Sequence, residues 1–326
     1  MYSVYRFGYR AVSKILRRQD KSIKKANDWQ ALRLSYKKGT GNLARMLNSD
    51  IDYAILAFEK AWCDDGKQTI FIDSAETAQS LLKGKFTLDK LSADFMPYEN
   101  FMIGMPSDLK LNNQHVQGAL IHFSGGTGVS KASLDFLNYL GVNNNHDERE
   151  IAELTDENYS LTVSYTVKGE DDTQIITLNQ NTFPCFMAAN DGTEYYQQIM
   201  KANDTYEHDQ RNLNAYKTQY ELLKLIISMS IYVKAKPNAI TDGMPNRRLG
   251  FEGYVDRDCN KKTIKTSNNR AYSEKSEHTR SWFIRQLINE RFYRGDYEAM
   301  KVGSRFIFVD ETTVNLGENI ENVTKG

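Results

Sequence analysis

Cysteine, proline and histidine are scarce in this sequence, with three, five and five residues among 326. Cys63, Cys185 and Cys259 are odd in number and far apart, which excludes a disulfide framework and a CxxC metal clip and indicates a reducing, cytosolic compartment. His115, His122, His146, His208 and His278 never fall into HExxH spacing, and no GxSxG occurs, so zinc-protease and nucleophile-elbow chemistries find no support. The longest apolar run, Leu222–Val233, contains Lys224 and falls short of the ~20 residues that span a bilayer. No membrane partner, cofactor or metal is expected.

Net charge is also lacking, yet the charges are not mixed evenly. Residues 1–50 hold 12 Lys and Arg against 3 Asp and Glu, and residues 246–305 hold 14 against 8. Residues 51–245 hold 15 against 27. Either the basic segments pack on the acidic middle, or they meet a polyanion.

What is present reads as an α+β protein. The basic N-terminus, MYSVYRFGYRAVSKILRRQDKSIKK, places Val4, Ala11, Ile15 and Leu16 at helical spacing. Without a long apolar segment it is no secretory signal, and its first ~25 residues are expected to form a docked amphipathic helix. Helical patterns continue in DWQALRLSYKK and, after Gly39-Thr40-Gly41, in NLARMLNSDIDYAILAFEKAW. QTIFID (68–73) reads as a strand, followed by a helix that Ser74 caps and Gly84 stops. NFMIGMP (100–106) and QGALIHF (117–123) read as further strands. YSLTVSYTVKGEDDTQIITLNQ is a hairpin of two β-branched runs around residues 169–172. After Asn190-Asp191-Gly192 a long polar helix bearing Tyr195, Tyr196, Tyr206 and Tyr216 leads into the apolar run that Pro237 ends. Three regions result: N-terminal helices (1–66), a central, mainly antiparallel sheet (67–190), and a long helix with a basic, strand-rich C-terminal segment (191–326).

Two stretches invite chemistry and lack its full pattern. GGTGVSK (125–131) has Ser130 where a phosphate loop needs its second glycine and Ala132 where it needs the magnesium-binding hydroxyl, so a glycine-rich turn is the better reading. NNNHDERE sets His146 beside Asp147, Glu148 and Glu150, but consecutive residues rarely converge on one ion without a framed loop.

The strongest candidate is SEHTRSWFIRQLINERFYRG, residues 276–295. As a helix, Phe283, Ile284, Leu287 and Ile288 form a stripe, and periodicity favours this reading. As a strand, Arg280, Trp282 and Ile284 share one face, with Phe283, Arg285 and Leu287 on the other. Arginine beside aromatic rings can pair with phosphate and stack on bases, which makes His278, Arg280, Trp282, Arg285, Arg291, Arg294 and Arg305 candidate nucleic-acid or partner-binding residues. The same pattern also suits a solvated edge of a structural element.

HTRSWFIRQ, a glycine-bearing turn and SRFIFVDETTVN resemble the C-terminal signature of a family of phage and mobile-element proteins that includes a type V-A anti-CRISPR. His278, Arg280, Ser281, Arg285, Gln286 and Asn315 match it, whereas Phe283 and Ile284 stand where the family has His and Trp. ELLKLIISMSIYVKAKPNAI is similar to the family's leucine-rich helix and Pro-containing loop. The resemblance covers the last third of the chain. It implies a phage-encoded anti-defence or host-takeover protein in the host cytosol, which binds RNA or a translation-linked ribonucleoprotein, with a nascent defence protein as a further partner, and lowers production of a defence effector. Two alternatives stand beside it. In a metal-independent ribonuclease, His278 would act as general acid or base while Arg280 and Arg285 stabilise phosphorane charge. In a structural or virion-associated protein, no solution ligand is needed.

Overall fold

The computed structural model describes residues 1–39, 42–47, 49–125, 131–142, 159–170, 172–202, 210–245, 250–252, 258–266, 279–280, 283–309 and 312–313. Strand β1 (Tyr2–Ser3) leads into helices α1 (Gly8–Gln19), α2 (Asp28–Lys37), α3 (Asn42–Met46) and α4 (Asp50–Asp64). Strand β2 (Gln68–Ile72), helix α5 (Ala75–Lys83) and strand β3 (Lys85–Thr87) follow, then β4 (Asn100–Pro106), β5 (Val116–Gly125), α6 (Lys131–Leu140), and the hairpin β6 (Tyr159–Val167) and β7 (Thr173–Leu178). Helices Phe183–Ala188 and Gly192–Ala202 precede a long helix, Gln210–Ala235. The remaining strands are β8 (Ile240–Asp242), β9 (Phe251–Glu252), β10 (Asn260–Ile264), β11 (Thr279–Arg280), β12 (Phe283–Leu287), β13 (Arg305–Val309) and β14 (Thr312–Thr313).

Local chemistry sets several of these boundaries. Asn27 Oδ1 accepts from Gln30 N at 2.8 Å to open α2, and Ser49 with Asp52 forms a reciprocal cap at the start of α4. Ser74 Oγ accepts from Thr77 N at 3.2 Å, as its position before an apolar run predicts. α1 has no side-chain cap of its own; Glu59, fully buried on α4, accepts from Gly8 N and Tyr9 N at 2.6 and 2.8 Å and satisfies two of its free amides.

The architecture is α+β, built on a nine-stranded, mainly antiparallel sheet with the order β7-β6-β5-β4-β2-β10-β8, to which β1 is added at β4 and β9 at β1. β2 pairs in parallel with both β4 and β10. Period-two alternation divides the sheet's side chains between two cores. Ile70, Ile72, Phe101, Ile103, Ile121, Val163 and Leu178 face the long helix, whereas Phe71, Met102, Leu120 and Ile175 face α1, α2, α4 and α6. With both faces covered, β4 is buried along its whole length. Gly118 has φ +133° and backs directly onto the backbone of Val4 and Tyr5, so a side chain there would push the N-terminal segment off the sheet.

The long helix is buried on nearly every side from Leu222 to Tyr232, Lys224 alone being half-buried, because it lies between two sheets. On its far side sits a three-stranded sheet, β13-β12-β3, in which β12 runs antiparallel to β13 and parallel to β3. Phe308 packs edge-on against Tyr232 at 5.4 Å between ring centres, and Phe306 meets Phe95. The layers therefore run N-terminal helices, large sheet, long helix, small sheet.

Two expectations are corrected. The first residues are not helical throughout: β1 pairs with β4 and β9, and Tyr2, Val4, Tyr5 and Phe7 are core side chains before α1 begins at Gly8. The Phe283–Leu287 segment is a strand despite its helix-like stripe, because pairing on both sides with β3 and β13 satisfies its backbone and outweighs local periodicity. Among the described residues, no helix is long and apolar enough to cross a membrane.

Candidate nucleic-acid interface

The small sheet buries one face and opens the other. Ile284 is 2% exposed against the long helix, while its neighbours Phe283 (38%) and Arg285 point outward. Parallel register brings Lys85 opposite Phe283 and Thr87 opposite Arg285, both exposed on that same face. On the other side of Arg285 stands Ile307, also exposed. Neither Lys85 nor Arg285 has an ion-pair partner among the described residues.

One end of this face is closed by the loop between β12 and β13. Tyr293 is the pin: its hydroxyl donates to Leu287 O at 2.6 Å and accepts from Gly303 N and Arg305 N at 2.7 and 3.1 Å. Arg305 completes the fastening, with its guanidinium 3.4 Å from the centre of the Tyr297 ring and a hydrogen bond to Phe292 O. Leu287 is buried beneath the loop although it shares the outward parity of Phe283 and Arg285. The angle between loop and sheet forms a groove of about 1160 Å³, walled by Lys85, Phe283, Arg285, Ile288, Arg291 and Phe292, with Asp89 the single acid among its described lining residues.

The candidate cations thus have different surroundings. Arg285 stands free in the groove, Arg291 lies over its neighbour Phe292 at 4.7 Å, and Arg294 is exposed at the loop's tip. Arg305 is committed to holding the loop. Arg280 lies in β11, which pairs with β14. His278, Ser281, Trp282 and Asn315 lie outside the described residues, as do residues 126–130 of the glycine-rich stretch and all of NNNHDERE. Lys85 and Thr87 were not legible as partners of this segment, since nothing in a three-residue run announces which strand it will join nearly two hundred residues later. Lys224, half-buried on the long helix, adds to the local positive field: burial lowers its pKa, Glu221 raises it and the Lys85 charge lowers it further.

The basic head is neutralised only in part and from within. Arg17 pairs with Asp28 and Lys38 with Asp20, each at 2.6 Å, whereas Lys14, Arg18, Lys21, Lys24 and Lys25 are exposed without an ion pair among the described residues.

A second polar group crosses the covered sheet. Asn100, His122, Thr162 and Thr177 stand in register on β4 to β7. Asn100 Nδ2 donates to Asp65, which turns its Oδ1 toward His122 and makes Nδ1 the protonated ring nitrogen. The imidazole is buried and stacked on Phe58 with ring centres 4.3 Å apart; burial pushes its pKa down to about 4, so it is neutral at pH 7.

No protein family, curated protein or solved structure matches this chain.

Proposed function

We propose that the protein binds RNA, or a ribonucleoprotein through its RNA, with the open face of the small sheet as the contact surface. The observation that carries this reading is the conjunction of an exposed aromatic ring, Phe283, with Lys85 and Arg285 on one solvent-facing sheet surface, neither cation neutralised by an acid among the described residues. Phosphate pairs with the cations and the ring supplies a stacking platform. The unpaired lysines and arginine of the head offer further phosphate contacts. The resemblance to a phage family with an anti-CRISPR member supports a role against host defence, in which the RNA belongs to the translation of a defence effector.

The primary test is Arg285→Ala, measured for RNA affinity at several salt concentrations. Loss of one phosphate contact should weaken binding to all RNA sequences alike and reduce the salt slope by ~1, with the melting temperature nearly unchanged. Lost stability with unaltered affinity would return Arg285 to the scaffold and reject the reading. For the anti-defence role, co-expression with a matching effector should lower the effector's message and protein, whereas purified protein added to the assembled effector should do little. Equal inhibition of the assembled effector would contradict that role.

A further inference from the structure

We infer that the groove selects single-stranded RNA, holding a short segment of about two or three nucleotides with one base stacked on Phe283. This rests on the RNA reading above and adds the strandedness of the ligand and the residue that enforces it. Among the described residues, Phe283 is the one on the outward sheet face of the groove that offers an aromatic ring to solvent, and it stands on the central strand of the three. An exposed ring on a sheet surface is a stacking platform for another flat face. In a duplex both faces of every base are stacked within the helix, so the ring would meet sugars and phosphates and gain nothing, whereas an unpaired base can turn out and lie on it.

The cations are spaced for a chain that crosses the sheet. Lys85 is directly across from Phe283 on β3, and Arg285 lies two residues along β12, about 6.6 Å further on, the scale of one extended nucleotide. Arg291 and Phe292 continue the line onto the wall of the loop. Asp89 sits on the rim at the β3 side, where its charge repels a phosphate and biases the strand's path toward Arg285 and Arg291. Ile288 and the pinned loop bound the groove beyond Arg285, and its volume of about 1160 Å³ is on the scale of a few nucleotides.

The test uses the full chain and fluorescence anisotropy with a labelled 12-nucleotide oligouridine, a 12-base-pair RNA duplex and heparin as a stacking-free polyanion. The single strand should bind at least tenfold more tightly than the duplex. Phe283→Leu should weaken the single strand by roughly 5- to 150-fold, the range that loss of one stacked base gives, and leave duplex and heparin binding unchanged, while Phe283→Tyr restores the preference. Since Phe283 is exposed, the variants should keep the parental melting temperature, measured alongside. Equal affinity for single strand and duplex, or a Phe283→Leu protein that binds oligouridine like the parent, would overturn the inference and leave RNA binding itself standing. No binding to either RNA would remove the RNA reading and the inference together.

Discussion

The two sheets are built by one rule and finished differently. Each alternates side chains between faces, but the large sheet is covered by helices on both sides while the small sheet, among the described residues, is covered on one, by the long helix together with Phe95 and Phe186. In the large sheet Asn100 and His122 are linked to each other and, through Asn100, to Asp65 at the end of α4, since a buried polar group left unpaired costs about 1–3 kcal/mol. In the small sheet Lys85, Phe283 and Arg285 need no partner within the fold. A surface free of structural duties is where a ligand can be met, and this contrast points to the smaller sheet as the candidate site.

The largest effects should separate covered from open positions. Phe71→Ala, in the centre of the large sheet and fully buried, should cost about 3–5 kcal/mol by chemical denaturation. Ile284→Ala should cost about 2–5 kcal/mol, while Phe283→Ala, one residue away on the open face, should stay within about 0.5 kcal/mol of the parent. Similar losses at positions 283 and 284 would show that the face is covered after all.

A pH series sharpens the contrast within the covered sheet and its helices. Burial raises the Glu59 carboxyl from 4.5 to about 7, against the opposing pull of the Tyr9, Gly8 and Tyr5 donors and the Arg10 charge. Its contribution to stability is therefore full below pH 4.5 and is lost as pH rises through about 7. His122, lowered by burial from 6.5 to about 4, contributes stability that is present above pH 6.5 and lost as pH falls through about 4. Between these limits the two oppose each other, so the parent should show a shallow profile. Glu59→Gln should leave a stability that climbs with pH between about 4 and 6.5, read from urea midpoints. An unchanged profile would mean that Glu59 does not titrate in this window.

A smaller effect than at Phe71 or Ile284 is expected at the loop. Arg305→Ala removes the contact with Tyr297 and the bond to Phe292 O, and should cost about 1–2 kcal/mol. It should also weaken RNA binding through a loosened groove wall, with a smaller change in salt slope than Arg285→Ala. A full unit of salt slope with no loss of stability would place Arg305 among the phosphate contacts.

Much of the fold was legible because it obeys local rules. The strands at 68–72 and 100–106, the 159–178 hairpin turning at Gly169 and the cap at Ser74 all follow from alternation, turn chemistry or side-chain capping. Of the long polar stretch after Gly192, residues Gly192–Ala202 and Gln210–Ala235 are helical, as periodicity implies. The site was legible only by half. Phe283 and Arg285 could be singled out as arginine beside aromatic, but their strand conformation, their openness and their pairing with Lys85 depend on contacts distant in sequence. Residues 283–288 carry a helix's stripe; the partner strands decide against it.

The parallel pairing of β2 with β10, and of β3 with β12, has a consequence for the protein's birth on the ribosome. β2 emerges early and has β4 beside it soon after, but its other edge waits for Asn260–Ile264, and β3 waits for Phe283–Leu287. For most of synthesis the nascent chain therefore carries two unfinished strand edges, and closure over such distances is slow. Rapid expression at high temperature should send this protein into aggregates, and slower synthesis or a trigger-type chaperone that shields those edges should recover it.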